Sequence, residues 1–189
     1  MKYFFFIFCF IFHNFVTAQE ESAKGIDTTI TWTQSKKLAW SDFQSEIDSD
    51  IFGKALTSYK IDFLPEDVLV DEQDKIQGYE NITVVARFYK KQSWTTVAAS
   101  DTVVLKHEQL HFDIAELFAR KIRKKFKELQ ENGEARFSVY SEVYNQLWME
   151  SRKYQKQFDF ETDHGRELDL NKIWFEKVKE ELTLLAEYR

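Results

Sequence analysis

The stretch "VVLKHEQLHFDIAE", residues 103–116, sets the character of the C-terminal half of this chain. From Val104 onward its apolar residues recur at helical spacing, which predicts the beginning of a long helix. Two of the four histidines in the sequence, His107 and His111, stand four residues apart within it, and Glu108 follows the first. Because four residues turn a helix by about 400°, both imidazoles are expected on nearly the same face, one turn apart.

These two histidines have the spacing of a metal site. Two imidazoles one turn apart can bind a single Zn2+ at about 2.0–2.1 Å. Glu108 is then expected near a metal-bound water without being a ligand, which is the position of the general base in an H-E-x-x-H site. The competing interpretation is a pair of partly buried histidines on an ordinary amphipathic helix. The sequence favours the metal site, with His107 and His111 as ligands and Glu108 as the catalytic residue.

The size and composition of the chain restrict its class. With 189 residues, of which 43% are hydrophobic, it can bury one substantial core, and we expect a single domain over residues 19–189. The net charge is −6 and no basic stripe carries interleaved aromatic residues, so nucleic acid is not an expected partner.

The first 18 residues are expected to be a signal peptide. They hold one lysine, a continuous apolar run, and a small-residue exit that ends at Ala18. A membrane anchor is the alternative, but the run is shorter than the about 20 apolar residues that a bilayer span needs. We therefore expect a secreted or periplasmic protein with no stable membrane span after cleavage. Cleavage would also remove Cys9, the only cysteine, so no disulfide is expected.

The mature chain is predicted to be α+β, with a small N-terminal antiparallel sheet packed on three long C-terminal helices. Strands are expected at "TTITW" (28–32), "ALTSYKIDF" (55–63) and "NITVVARFY" (81–89). Between the first two, Leu38, Trp40 and Phe43 indicate a short segment anchored in the core, and the acidic stretch 65–78 reads as a loop.

The first of the three helices is predicted from about Asp101 to Asn132. Ser100 or Asp101 would be its N-cap and Gly133 would end it. We expect it to be the zincin-like active-site helix. The second and third helices carry aromatic and aliphatic stripes that are typical of a core.

The third metal ligand is expected from "FDFETDHGRELDL", residues 158–170, between the second and third helices. His164 lies there beside Gly165, and a loop at this point can present an imidazole towards the first helix if the helices pack together. It would complete the pattern of three protein ligands and one water that is typical of catalytic zinc. The alternative is a solvent-exposed histidine. Asp159 or Asp163 is expected to orient a ligand histidine, or to be the ligand if His164 is not.

The carboxylates of the first helix are not expected at the metal. Glu116 lies about 180° around the helix from His107, so it cannot close on the same ion. It is expected to pair with Arg120 at the surface. Asp113 is likewise off the metal face.

A family resemblance supports the same site. "LKHEQLHFDIAELFAR" (105–120), followed some fifty residues later by "FDFETDHG" (158–165), resembles a bacterial family of unknown function whose members are described as predicted secreted zinc-dependent proteases. The resemblance takes in the upstream "LAWSDFQ" and "ITVVARFY" and spans most of the mature chain. It implies zinc at His107 and His111, Glu108 as the catalytic glutamate, and a role for the Asp-His-Gly stretch that includes His164. Family members often carry a tyrosine where this chain has Phe158.

Taken together, the residues predict a zinc hydrolase, specifically a metallopeptidase with peptide or protein substrates. Zn2+ would activate a water whose proton Glu108 takes and returns. The strand 81–89 is expected to be an edge that pairs with an extended substrate, and Tyr154 and Arg166 are the candidates for an oxyanion donor. Two alternatives remain open: an exported metal-binding protein with a structural or vestigial zinc site, and an amidase that acts on cell-wall peptides.

Overall fold

The computed structural model describes residues 28–47, 53–97 and 101–189. The predicted signal peptide lies outside these residues. The described part is α+β, as expected. Its strands are β1 (Thr29–Thr31), β2 (Ala55–Leu56), β3 (Tyr59–Leu64), β4 (Thr83–Tyr89) and β5 (Trp94–Thr95), and its helices are α1 (Thr102–Glu131), α2 (Phe137–Glu161) and α3 (Leu168–Leu184).

The main sheet has three antiparallel strands in the order β1-β4-β3. β4 alternates buried and half-buried residues, and Val84, Ala86 and Phe88 are turned into the core. Because β4 is the central strand, the prediction that residues 81–89 form an edge open to substrate is wrong. The strand was correctly predicted, but a single amphipathic pattern does not tell a central strand from an edge.

The predicted strand 55–63 is divided between two sheets. Its first part, β2, pairs with β5, and its second part, β3, pairs with β4. The break falls at Thr57 and Ser58, where Ser58 N–H donates to the hydroxyl of Ser93 and Ser58 C=O accepts from Tyr89. β5 is too short, at two residues, to have been recognised from sequence.

Helix α1 runs through the centre of the fold. Asp101 is its N-cap and accepts a hydrogen bond from Val104 N–H, and Gly133, with φ of 69°, follows its end, as predicted. Its contacts extend to the sheet on one side and to α2 and α3 on the other. A helix enclosed in this way can bury both polar and apolar side chains, which explains why His107 and Glu108 are buried along with the apolar residues of α1.

Helices α2 and α3 cover the remaining faces of α1. Tyr140 and Phe158 of α2 and Trp174 and Val178 of α3 are buried, whereas Ile173 of α3 is 61% exposed. Leu38 and Phe43 are buried and Trp40 packs against the core, so this segment is anchored in the core as predicted. None of the described helices is long and apolar enough to cross a bilayer.

Candidate metal centre

Three potential ligand atoms from α1 and α2 meet where the two helices face each other at the cleft. Nε2 of His107 and Nε2 of His111 lie 3.2 Å apart. Oδ1 of Asp159 lies 3.2 Å from the first nitrogen and 3.0 Å from the second. Two donors each about 2.0–2.1 Å from a tetrahedral zinc ion would be about 3.3 Å apart. The three residues therefore form a group that can hold a metal ion.

The outer nitrogens of both imidazoles are held by amide oxygens. His111 Nδ1 lies 2.5 Å from Oε1 of Gln155, and Gln155 Nε2 donates to the backbone carbonyl of His111 at 2.8 Å. His107 Nδ1 lies 3.2 Å from Oδ1 of Asn171. An amide oxygen can only accept a hydrogen bond, so these contacts place the proton of each neutral ring on Nδ1 and leave Nε2 free to bind a metal.

The rings are oriented by packing as well. Phe158 stacks on His107 with centroids 4.5 Å apart and meets His111 edge-on at 5.0 Å. On the backbone side, a β-carbon added to Gly165 would lie 3.0 Å from Cγ of His107. The turn after α2 therefore approaches the His107 ring closely, and only a glycine leaves it room.

The close approach of the two imidazoles and the Asp159 carboxylate favours a bound cation. Two nitrogen lone pairs and a carboxylate facing one another repel unless a proton or a metal ion lies among them. Burial alone lowers the pKa of His111, but the hydrogen bond to Asp159 and the charges of Glu108 and Asp159 outweigh it and raise that pKa to about 9. Burial opposes ionisation of Asp159, yet the hydrogen bonds from His107 and His111 hold the pKa of its carboxyl well below the usual range. The protonated imidazole of His111 thus balances the negative charge of Asp159 in this group.

His164, the predicted third ligand, lies outside the group. Its side chain is 69% exposed and its Nδ1 is 3.9 Å from Oδ1 of Asp159. It follows the end of α2 with φ of 51°, in a left-handed turn that leaves its side chain exposed. Asp159, one turn earlier on α2, occupies the third position instead. Asp163 pairs with Arg166 and does not join the group either.

A signal for the third position was present in the sequence. Gln155 and Asp159 stand four residues apart, so on a helix they share a face just as His107 and His111 do. Gln155 binds one histidine and Asp159 contacts both. The shared i, i+4 spacing of the two pairs points to a common site only once α2 is known to pack against α1.

Glu108 lies beside the group in a cleft of about 1360 Å3. Its side chain is buried, and within the described residues its carboxylate makes no hydrogen bond or ion pair. Thr57 donates instead to the backbone carbonyl of Glu108, at 3.2 Å, and so ties the segment before β3 to α1. A carboxylate that faces a cleft without a partner is available to accept a proton from a molecule bound there.

The remaining predicted residues have other roles or positions. Glu116 pairs with Arg120 as expected, but the pair is buried, with both side chains 4% exposed. Asp113 accepts from the indole of Trp32 and is off the metal face. The hydroxyl of Tyr154 donates to Glu181 outside the cleft, whereas Arg166 lines it.

Comparison with known proteins identifies one related family. Residues 84–165 match a bacterial family described as "Bacterial protein of unknown function (DUF922)". The matched region starts in β4 and ends at Gly165, so it contains His107, His111 and Asp159. No curated protein and no solved structure matches the chain. The resemblance to a bacterial family of unknown function is thereby confirmed for this region.

Proposed function

We propose that the protein is an exported zinc-dependent hydrolase and that its substrates are peptides or proteins. The observation that carries this proposal is the meeting of His107, His111 and Asp159 beside the unpartnered carboxylate of Glu108, in one cleft. Nitrogen and carboxylate ligands in this number suit zinc, since three protein ligands leave a fourth position for water. In this proposal α1 is the zincin-like active-site helix.

In this proposal the residues of the site have distinct roles in binding the metal, orienting its ligands and transferring a proton. Bound zinc would supply Lewis acidity and a water of lowered pKa. His107, His111 and Asp159 hold the ion, and Gln155 and Asn171 keep the two imidazoles in the tautomer that binds it. Glu108 accepts the proton of the attacking water and returns it to the leaving group.

The free edge of β2 supports a peptide as the substrate. Lys54 C=O accepts from Thr96 N–H, which makes residues 54 and 96 a hydrogen-bonded pair in the β2–β5 register. Hydrogen-bonded pairs alternate along an antiparallel ladder, so the backbone groups of Ala55 and Thr57 point to the other side. They have no backbone partner among the described residues, and the segment 53–59 lines the cleft. An extended peptide can add to this edge as a strand.

The surroundings favour a catalytic site over a closed structural one. A structural zinc site is filled by four protein ligands. Within the described chain, the group has three members, and His164 is exposed and outside it. The open side of the group faces the cleft, where a substrate can reach it.

The test is a comparison of the wild-type protein with Glu108→Gln. Glutamine keeps the shape of the side chain and removes the proton acceptor. We expect about one zinc per chain in both proteins, and cleavage in a peptide-library digest that falls by about 100-fold or more in the variant. Mass spectrometry identifies the cleavage products, and elemental analysis measures the zinc content per chain. Two results would contradict the proposal. One is wild-type protein that was supplied with zinc but holds no stoichiometric transition metal, and the other is undiminished cleavage by Glu108→Gln.

A further inference from the structure

One end of the cleft carries positive charge that the metal site does not use. Lys54, Arg152 and Lys156 line the cleft, and within the described residues none of them pairs with a carboxylate. Arg152 and Lys156 stand four residues apart on α2, and Asp159 follows on the same side of that helix. The α2 wall of the cleft is therefore cationic up to the candidate metal group.

Arg152 stands at a defined distance from that group. Seven residues separate it from Asp159, which on a helix is about 10.5 Å along the axis and nearly two full turns, so both project from one face. An extended peptide advances about 3.3 Å per residue. For a peptide bound parallel to α2, Arg152 is thus level with a substrate group about three residues from the bond at the metal.

Tyr59 contributes a second donor at the same end. Its ring lies 5.9 Å from that of Trp148, one helical turn before Arg152, and both tyrosine and tryptophan line the cleft. Burial raises the pKa of the Tyr59 phenol; the charge of Arg152 opposes the rise and that of Asp159 adds to it, so the hydroxyl is near both residues. The phenol therefore stays protonated at neutral pH and can donate a hydrogen bond to an anion.

We propose that Arg152 and Tyr59 form a subsite for a carboxylate, so that the protein prefers peptides with a carboxylate about three residues from the cleaved bond. A guanidinium matches a carboxylate with two parallel hydrogen bonds, and the neighbouring lysines add attraction for the same charge. Either a C-terminal carboxylate or an acidic side chain supplies this group. The inference rests on the proposed hydrolase for the meaning of the cleaved bond, but carboxylate binding itself does not require turnover.

Calorimetric binding with defined probes tests the subsite. The protein is the full chain with Glu108→Gln, measured both metal-free and zinc-loaded. The probes are a short N-acetylated alanine peptide with a free C-terminal carboxylate, its C-terminal amide, and amides that carry Glu or Gln at successive internal positions. We expect one class of carboxylate peptide to bind at least about tenfold more tightly than its neutral counterpart, and the preferred class identifies the source of the carboxylate.

Arg152→Gln should abolish this preference, and Lys153→Gln is the matched control. Lys153 is also exposed on the same helix but does not line the cleft. Arg152→Lys should keep part of the preference, because it retains the charge without the planar fork. Equal or no binding of the charged and neutral probes, or a preference that survives in Arg152→Gln, would overturn the subsite. If the wild type cleaves neutral peptides and shows no preference for carboxylate peptides, the carboxylate subsite is overturned but the proposed hydrolase function is not.

Discussion

Gly165 lies directly against the imidazole of His107, since a β-carbon on it would be 3.0 Å from Cγ and 3.1 Å from Nδ1 of that ring. The glycine also has φ of 86°, a conformation that other residues adopt only with strain. The turn after α2 therefore fixes a side chain of α1 at the candidate metal centre. The metal site depends on this turn even though the group contains no residue from it.

Gly165→Ala is expected to weaken zinc binding, and Gly133→Ala is its control. Both glycines have positive φ, so each substitution should cost about 1–2 kcal/mol of stability. Nothing lies within 4 Å of a β-carbon at Gly133, whereas at Gly165 the new methyl must displace the His107 ring. We expect thermal melts to show a loss in both variants, at least as large for Gly165→Ala, and zinc titration to show reduced affinity for Gly165→Ala alone. Unchanged zinc affinity in Gly165→Ala would contradict the role assigned to this contact.

Asp159 and His164 can be distinguished as the third ligand by substitution. Asp159→Asn removes the charge that contacts both histidines and should lower zinc affinity by about 100-fold or more. His164→Ala removes an exposed side chain and should change the affinity by no more than a few-fold. A competition titration against a chromophoric chelator measures both. A larger loss in His164→Ala than in Asp159→Asn would return His164 to the ligand set.

The first-helix part of the site was predictable because it is local. The spacing of His107 and His111 fixes their shared face through helix geometry alone, and Asp101 and Gly133 mark the helix ends by their capping chemistry. The helix ends were confirmed, and the two imidazoles do lie on one face, with their Nε2 atoms 3.2 Å apart.

Predicting the third potential ligand required knowledge of where α2 ends and how it packs on α1. His164 and Asp159 are five residues apart, and the choice between them depends on where α2 stops. Since α2 continues to Glu161, Asp159 stays on the helical face towards α1, while His164 falls in the left-handed turn beyond it. The same limit explains the error for residues 81–89, because the strand pattern is local whereas its central place in the sheet is not.

Gln155 is expected to control zinc affinity without being a ligand. Its amide holds His111 through both Nδ1 and the backbone carbonyl, so Gln155→Leu should free the ring and lower zinc affinity by about 10- to 100-fold. Gln157→Leu is the control, because Gln157 is exposed and its side chain donates to Glu161, away from the two histidines. Zinc titration of the two variants separates a positioning role from a general effect of substitution in α2. Equal affinities for the two would show that the Gln155 contact does not orient the ligand.

Glu116 is expected to matter for stability and not for the metal. Its carboxylate accepts from Arg120 at 2.9 Å and from Arg123 at 2.6 Å, and these arginines in turn bind the backbone carbonyls of Leu182 and Tyr188. Removing the carboxylate leaves two cations without their partner in the interior, so Glu116→Ala should lower the free energy of unfolding by about 3–5 kcal/mol.

The control for this substitution is Glu128→Ala. Glu128 is 44% exposed and pairs with Lys125 at the surface, where solvent screens the pair, so its loss should change the free energy of unfolding far less than the loss of Glu116. Denaturant unfolding gives both values, and Glu116→Gln, which keeps the side-chain volume, provides an intermediate variant if the alanine protein does not fold. Zinc affinity of the folded protein should be the same in all of them, because Glu116 lies on the opposite side of α1 from the ligands. A change in zinc affinity with unchanged stability would place Glu116 at the metal after all, against the geometry of the helix.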